Sequence, residues 1–199
     1  MTENDWINSL RRERRRMQRA AYHEVGHALA MYLCYGNIDR ISSISVEWNG
    51  SGICNHEKPM DLNDYMDYLH EGGIMGNLFN EVCYNVGGGL CEAMFCNNAA
   101  NAILSGSAYK FPIKGMEGDL EHIKYILGWN GICNKKDVDA FIRLAVIRLK
   151  YDFYNQSNKI KQCVNTIIKE EYCIDKMDFY YIFDDKLYRK ERAKRRKKK

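Results

Sequence analysis

The residues whose types and spacing most clearly permit chemistry are His23-Glu24-Val25-Gly26-His27, two histidines four apart with a glutamate between them. On an α-helix, side chains four apart share a face, so both imidazoles can reach one tetrahedral metal ion. Glu24 projects beside that metal, where a carboxylate can take a proton from a metal-activated water. Two neutral imidazoles, one carboxylate and an open fourth position suit zinc, one ion per chain. The plainer alternative is a pair of packed or surface histidines. Against it stands the setting, an apolar helical stretch with Ala20, Ala21, Ala28 and Leu29 around the motif.

Such a site needs a third protein ligand. Asp119, Glu92, His122, Glu121 and His56 all qualify by chemistry. Asp119 and His122 are three apart, on one helix face, and Gly118 permits a close approach, which tilts the choice slightly to that segment. Residue types alone leave it open.

The elements that must position these groups can be read along the chain. From about Arg11 to Tyr35 the only Gly or Pro is Gly26, and Gly36-Asn37 supplies a helix stop. Ile44, Val46 and Trp48 alternate with Ser45 and Glu47, as in a half-buried strand over 41–48 that could offer an edge to an extended peptide or, equally, be a simple core strand. Asn49-Gly50-Ser51-Gly52 predicts a turn, with a second short strand near Ile53. Helices are expected from Asp61 to about His70, from Leu78 to Met94 with close packing at Gly87-Gly88-Gly89, from Asp119 to Trp129, from Asp137 to about Tyr154, and from Lys159 to Tyr172. Residues 97–118, rich in Asn, Gly and Ser, read as a loop. The expected fold is mainly α with a small β-sheet, the H-E-x-x-H motif lying on an N-terminal helix.

The chain has 199 residues, 46% of them hydrophobic, with only two prolines, which fits one folded domain over 1–188. No apolar run nears the roughly 18 residues of a membrane span. The polar start, Met1-Thr-Glu-Asn-Asp, predicts no secretory signal, and the eight cysteines, without any C-x-x-C pair, read as reduced thiols of a cytoplasmic protein. The net charge of +4 is concentrated at one end: residues 189–199 hold nine Lys or Arg against Glu191, leaving the rest of the chain at −4. That end is expected to be a disordered basic tail. Arg11 to Arg19, with six Arg and one Glu, reads as a solvated helix face within a basic N-terminal extension, 1–17 and onward. The 14 tyrosines read as amphipathic core rather than a stacking surface.

Ala21-Tyr22-His23-Glu24-Val25-Gly26-His27-Ala28-Leu29 resembles the zinc helix of the FtsH-type ATP-dependent metalloproteases almost residue for residue. Ile41-Ser-Ser-Ile-Ser-Val looks like that family's next strand. Val86-Gly87-Gly88-Gly89-Leu90-Cys91-Glu92 is similar to its G-G-R-x-A-E-E segment, with the Arg and the second Glu missing, and Gly118-Asp119-Leu120 to its [NG]-D-L segment. The resemblance covers roughly residues 18–183, with gaps at 53–80 and 97–116. It implies zinc held by His23, His27 and Asp119, with Glu24 as general base and Glu92 as a supporting carboxylate. The chain lacks the phosphate loop G-x-x-x-x-G-K-[ST], so it holds no means of coupling ATP to unfolding. The missing Arg and Glu argue against the family's hexameric ring.

The expected function is therefore a zinc-dependent endopeptidase acting on flexible or unfolded polypeptide, alone or with a separate unfoldase. The alternative is a catalytically inactive zinc-binding module that contacts a protein or nucleic acid through its basic ends.

Overall fold

The computed structural model describes residues 3–56, 74–97, 99–106, 115–170 and 172–197. It is mainly helical with one small antiparallel sheet. Helix α1 runs from Glu3 to Tyr35, strand β1 from Ile41 to Val46 and β2 from Gly52 to His56. Helix α2 spans Ile74–Phe95, α3 Ala100–Ser105, α4 Glu117–Trp129, α5 Lys135–Asn155 and α6 Ser157–Lys169. Strand β3, Cys173–Asp175, precedes α7, Lys176–Phe183, and α8, Asp185–Lys197. The helix expected between Asp61 and His70 lies outside the described residues.

The first half of α1 is mostly exposed, as its arginines require, and the basic N-terminal segment continues into the rest of the helix without a break. The second half is apolar on most sides and buried: Ala21, Val25, Ala28, Leu29 and Ala30 are all inaccessible. Its end is set by Gly36, which adopts a left-handed φ of 73° while its amide donates to the Tyr32 carbonyl at 2.8 Å.

Helix α2 packs against α1, and the partners across the contact run in opposite chain directions: Arg19 meets Glu92, His27 meets Tyr84, and Tyr35 meets Glu81. Two glycines permit the crossing. A Cβ on Gly26 would lie 2.3 Å from the Gly87 carbonyl, and one on Gly87 would lie 2.5 Å from the Gly26 carbonyl. The backbones therefore touch where any side chain would force them apart.

The sheet order is β2-β1-β3, all antiparallel, with Ile44 opposite both Cys54 and Ile174. Strand β1 is thus central and paired on both sides. Of the two readings the sequence left open for this strand, it is the core strand and not the edge; among the described residues β2 and β3 lie at the margins of the sheet. The cause is β3, three residues long and too short for alternation to announce. Trp48 falls outside β1 and is 57% exposed, resting edge-on against Tyr172 rather than extending the buried face.

Residues 97–118 are not wholly loop, because α3 occupies part of them; 107–114 lie outside the described residues. Helix α5 is capped by the Asn134 side chain, which accepts from the Lys136 amide, and α7 by a reciprocal Asp175–Asp178 capping box. These helices close the C-terminal half around Phe153, Ile160, Cys163, Ile167 and Phe179, all inaccessible. The basic end, expected to be a disordered tail, is helical through Lys197. Among the described residues no helix is long and apolar enough to cross a membrane.

Candidate metal centre

His23 and His27 sit one turn apart on the buried half of α1, with their rings edge to face at 4.8 Å. Asp119, in the first turn of α4, closes the group. One Asp119 oxygen lies 3.1 Å from His23 Nε2 and the other 3.5 Å from His27 Nε2. The three ligand atoms lie within 4.8 Å of one another, an arrangement that could hold a metal ion. Around a tetrahedral zinc with its usual bond lengths, ligand atoms sit about 3.3 Å apart, so the three residues lie near enough to close on one ion with small side-chain adjustments.

A second observation bears on the fit. Asp119 Oδ2 is buried and, 3.1 Å from an imidazole nitrogen, still has no hydrogen-bond partner. Among the described residues it is the one buried side-chain oxygen or nitrogen left so. Its charge is met by the His23 ring alone, without a well-formed hydrogen bond. A cation between the three groups would pair with it, and the residues fit one.

Each histidine is oriented through its other ring nitrogen. His27 Nδ1 contacts the Tyr84 backbone carbonyl at 2.8 Å, which fixes Nε2 as the atom free to face a metal. His23 Nδ1 lies 3.4 Å from Glu92 Oε2, and the other Glu92 oxygen accepts from Arg19 Nε. Glu92 thus addresses the far side of His23. That is a contact to the ring nitrogen turned away from Asp119.

The remaining candidates separate cleanly. His122 is exposed on the cleft wall, outside the three-residue group, and Glu121 is exposed on α4. The side chain of His56 lies outside the described residues. Arg19 is exposed, as expected of its segment, and in addition donates to Glu92. Neither the Tyr84 carbonyl nor Gly88 could be picked out as part of the site from residue types. A Cβ on Gly88 would lie 2.5 Å from His27 Nε2 and 2.7 Å from His23 Nε2, so α2 can approach the metal-facing nitrogens only with glycine there. The run of three glycines was the available signal; which one faced the histidines was not.

Glu24 is 8% exposed and lines the same cleft, of about 830 Å³, as the two histidines and Asp119. The opposite wall is the β1–β2 turn and the start of β2, where a Cβ on Gly52 would meet Glu24 Cγ at 2.6 Å. Glycine at 52 makes room for the carboxylate.

Electrostatics distinguish the two histidines. Burial disfavours the charged His23 ring, but the carboxylates of Asp119 and Glu92 outweigh it and push its pKa up to about 10. For His27 burial dominates and lowers the pKa, although Asp119 opposes it. Without metal, the site at neutral pH therefore holds one charged and one neutral imidazole against Asp119.

No protein-family model matches this chain, and no curated protein is found similar to it.

Proposed function

We propose that this chain is a zinc-dependent endopeptidase domain, akin to the FtsH-type peptidases, which cuts flexible or unfolded polypeptide. The single observation that carries this reading is the convergence of His23, His27 and the orphaned Asp119 oxygen in a cleft that also contains Glu24. His23, His27 and Asp119 would hold the ion. When bound, zinc would polarise a carbonyl and acidify a water, leaving one coordination position open.

The chain's own groups supply the rest. Glu24 is the base that takes a proton from the attacking water and returns it to the departing amine. Tyr84 and Glu92 hold the imidazoles in register. Strand β2 is paired on one side within the sheet and contributes Gly52, Ile53 and Cys54 to the cleft, so an extended polypeptide could add alongside it. Such a substrate must already be unfolded, or be delivered by a separate unfoldase.

The test is Glu24→Gln, which keeps shape and both histidines. Zinc content should stay at one per chain, while cleavage of an unfolded protein such as reduced, alkylated casein falls by about two orders of magnitude or more. Equal activity of wild type and variant, or none in either, would instead favour a zinc-holding interaction module.

A further inference from the structure

The α1–α2 crossing carries a second ladder, on residues that the metal centre does not use. Along α1, Gly26, Ala30 and Cys34 succeed one another at intervals of four; along α2, Cys91, Gly87 and Cys83 do the same in the opposite direction. The rungs are matched in space. A Cβ on Gly26 would lie 2.6 Å from Cys91 Cβ, and one on Gly87 would lie 2.6 Å from Ala30 Cβ. The next rung, one turn on from Ala30 and Gly87, sets Cys34 opposite Cys83, and the hydrogen bond that Tyr35 donates to Glu81 at 2.9 Å brackets the pair on its far side.

We propose that Cys34 and Cys83 form a reversible disulfide, a thiol-oxidation site that pins α1 to α2 beside the cleft. Both cysteines are free in the reduced protein. A disulfide requires Cα atoms about 4.4–6.8 Å apart, closer than most helix pairs allow. The backbone contact at Gly26 and Gly87 brings these two helices unusually near, and the pair lies one turn from it.

The two sulfurs have unequal surroundings, which assigns their roles. Cys34 is half-buried, and Cys83 is buried. The guanidinium of Arg148, whose Nη2 donates to the Leu33 carbonyl at 3.5 Å, stands beside Cys34. The interaction with Cys83 lowers the Cys34 pKa, against burial and with help from Arg148, whereas the same contact and burial raise that of Cys83. Cys34, the more accessible of the two and the one on the Arg148 side, is therefore the attacking sulfur and Cys83 the resolving one.

With hydrogen peroxide as oxidant the steps balance. The Cys34 sulfur attacks one peroxide oxygen, the O–O bond breaks, and the products are a sulfenic acid and one water. The Cys83 sulfur then attacks the Cys34 sulfur, the S–O bond breaks, and the hydroxyl leaves with the Cys83 proton as a second water. Two thiols are oxidised to one disulfide, and one peroxide is reduced to two waters. A thiol reductant reverses the linkage by exchange. The cross-link falls next to Tyr84, whose carbonyl orients His27, so it stiffens the helix pair that carries the site without altering a metal-facing atom.

The experiment treats the purified full chain with graded hydrogen peroxide, blocks remaining thiols with an alkylating agent, and maps tryptic peptides with and without reduction. We expect a linked Cys34–Cys83 peptide to appear before any other cysteine pairs, to vanish on reduction, and to be absent from Cys34→Ser and Cys83→Ser. The oxidised wild type should melt at a higher temperature than its reduced form, a shift missing from Cys34→Ser. Should Cys83→Ser fail to fold, the half-buried Cys34→Ser variant decides the outcome alone. The proposal is overturned if Cys34 and Cys83 are oxidised separately with no linked peptide, if exposed Cys133 or Cys173 forms the first disulfide, or if both thiols stay reduced while other cysteines react.

Discussion

The α1–α2 pair and the C-terminal helices are built on opposite principles. Every buried polar or charged residue among the described residues lies on α1 or α2: Glu24, His27, Glu81, Asn85 and Glu92. The two helices also bury Val25, Leu29, Val86 and Leu90, but their backbones come closest at Gly26, Ala30 and Gly87, and each buried polar group is tied to a neighbour or faces the cleft. The C-terminal half buries Phe153, Ile160, Ile167 and Phe179 instead, with Phe179 stacked on Phe183 at 4.4 Å. Large apolar side chains there add stability by area removed from water. Small ones at the metal centre add little, but let two backbones and five polar groups share one place. Stability and chemistry are thus separated within a single fold, and substitutions should tell the two regions apart.

The largest effect is expected from the smallest change. Gly88→Ala places a methyl group against both metal-facing nitrogens, and those rings are held from behind by Tyr84 and Glu92. One helix-interior glycine becomes alanine, a change worth about 1 kcal/mol toward helix formation in the absence of clashes. We expect a folded protein by circular dichroism that retains no zinc by elemental analysis. Full metal content in this variant would break the contrast between the regions.

Phe153→Ala should do the reverse. Its ring is inaccessible in the C-terminal core, so truncation should cost about 3–5 kcal/mol in denaturant unfolding. The molecules that remain folded should bind zinc with unchanged affinity in a competition titration. A weakened metal site would show that the two regions are mechanically coupled.

The supporting shell should rank below the ligands. Asp119→Ala removes a metal-facing group, whereas Glu92→Ala leaves all three in place and loosens only His23. We expect Glu92→Ala to weaken zinc by about 10–100-fold, the scale of supporting hydrogen bonds, and Asp119→Ala to weaken it more. The opposite order would move the third ligand to Glu92.

The smallest effect is a proton. In the metal-free protein the raised His23 pKa favours the folded state fully below the ordinary histidine value and loses that contribution as pH rises through about 10. A metal ligand must be neutral, so at pH 7 zinc uptake should expel the proton from His23, while His27, lowered by burial, is already neutral. Zinc affinity should rise about tenfold per pH unit above neutrality and level off near pH 10. Calorimetry in buffers of different ionisation enthalpy should count one proton released per zinc; two would mean that His27 is charged as well.

Sequence alone determined what is local. The histidine pair was legible because four residues of helix return a side chain to the same face, wherever the helix lies. The stop at Gly36, the strand over Ile44 and Val46, and the long C-terminal helices followed from the same short-range periods and turn chemistry. Tertiary structure decided everything that depends on how helices cross. Asp119, Glu121 and His122 lie within one turn of α4, and only the packing of that helix against α2 brings the first of them to both imidazoles. Glu92 reaches His23 at Nδ1 rather than Nε2 because α2 passes behind that ring, and His27 is held by a backbone carbonyl that every residue type possesses equally. Strand β1 became a core strand, with β2 and β3 at the margins among the described residues, because a three-residue strand from the far end of the chain paired with it. A period can name the face on which a residue sits. What stands opposite that face depends on contacts between distant segments, and no local pattern carries that information.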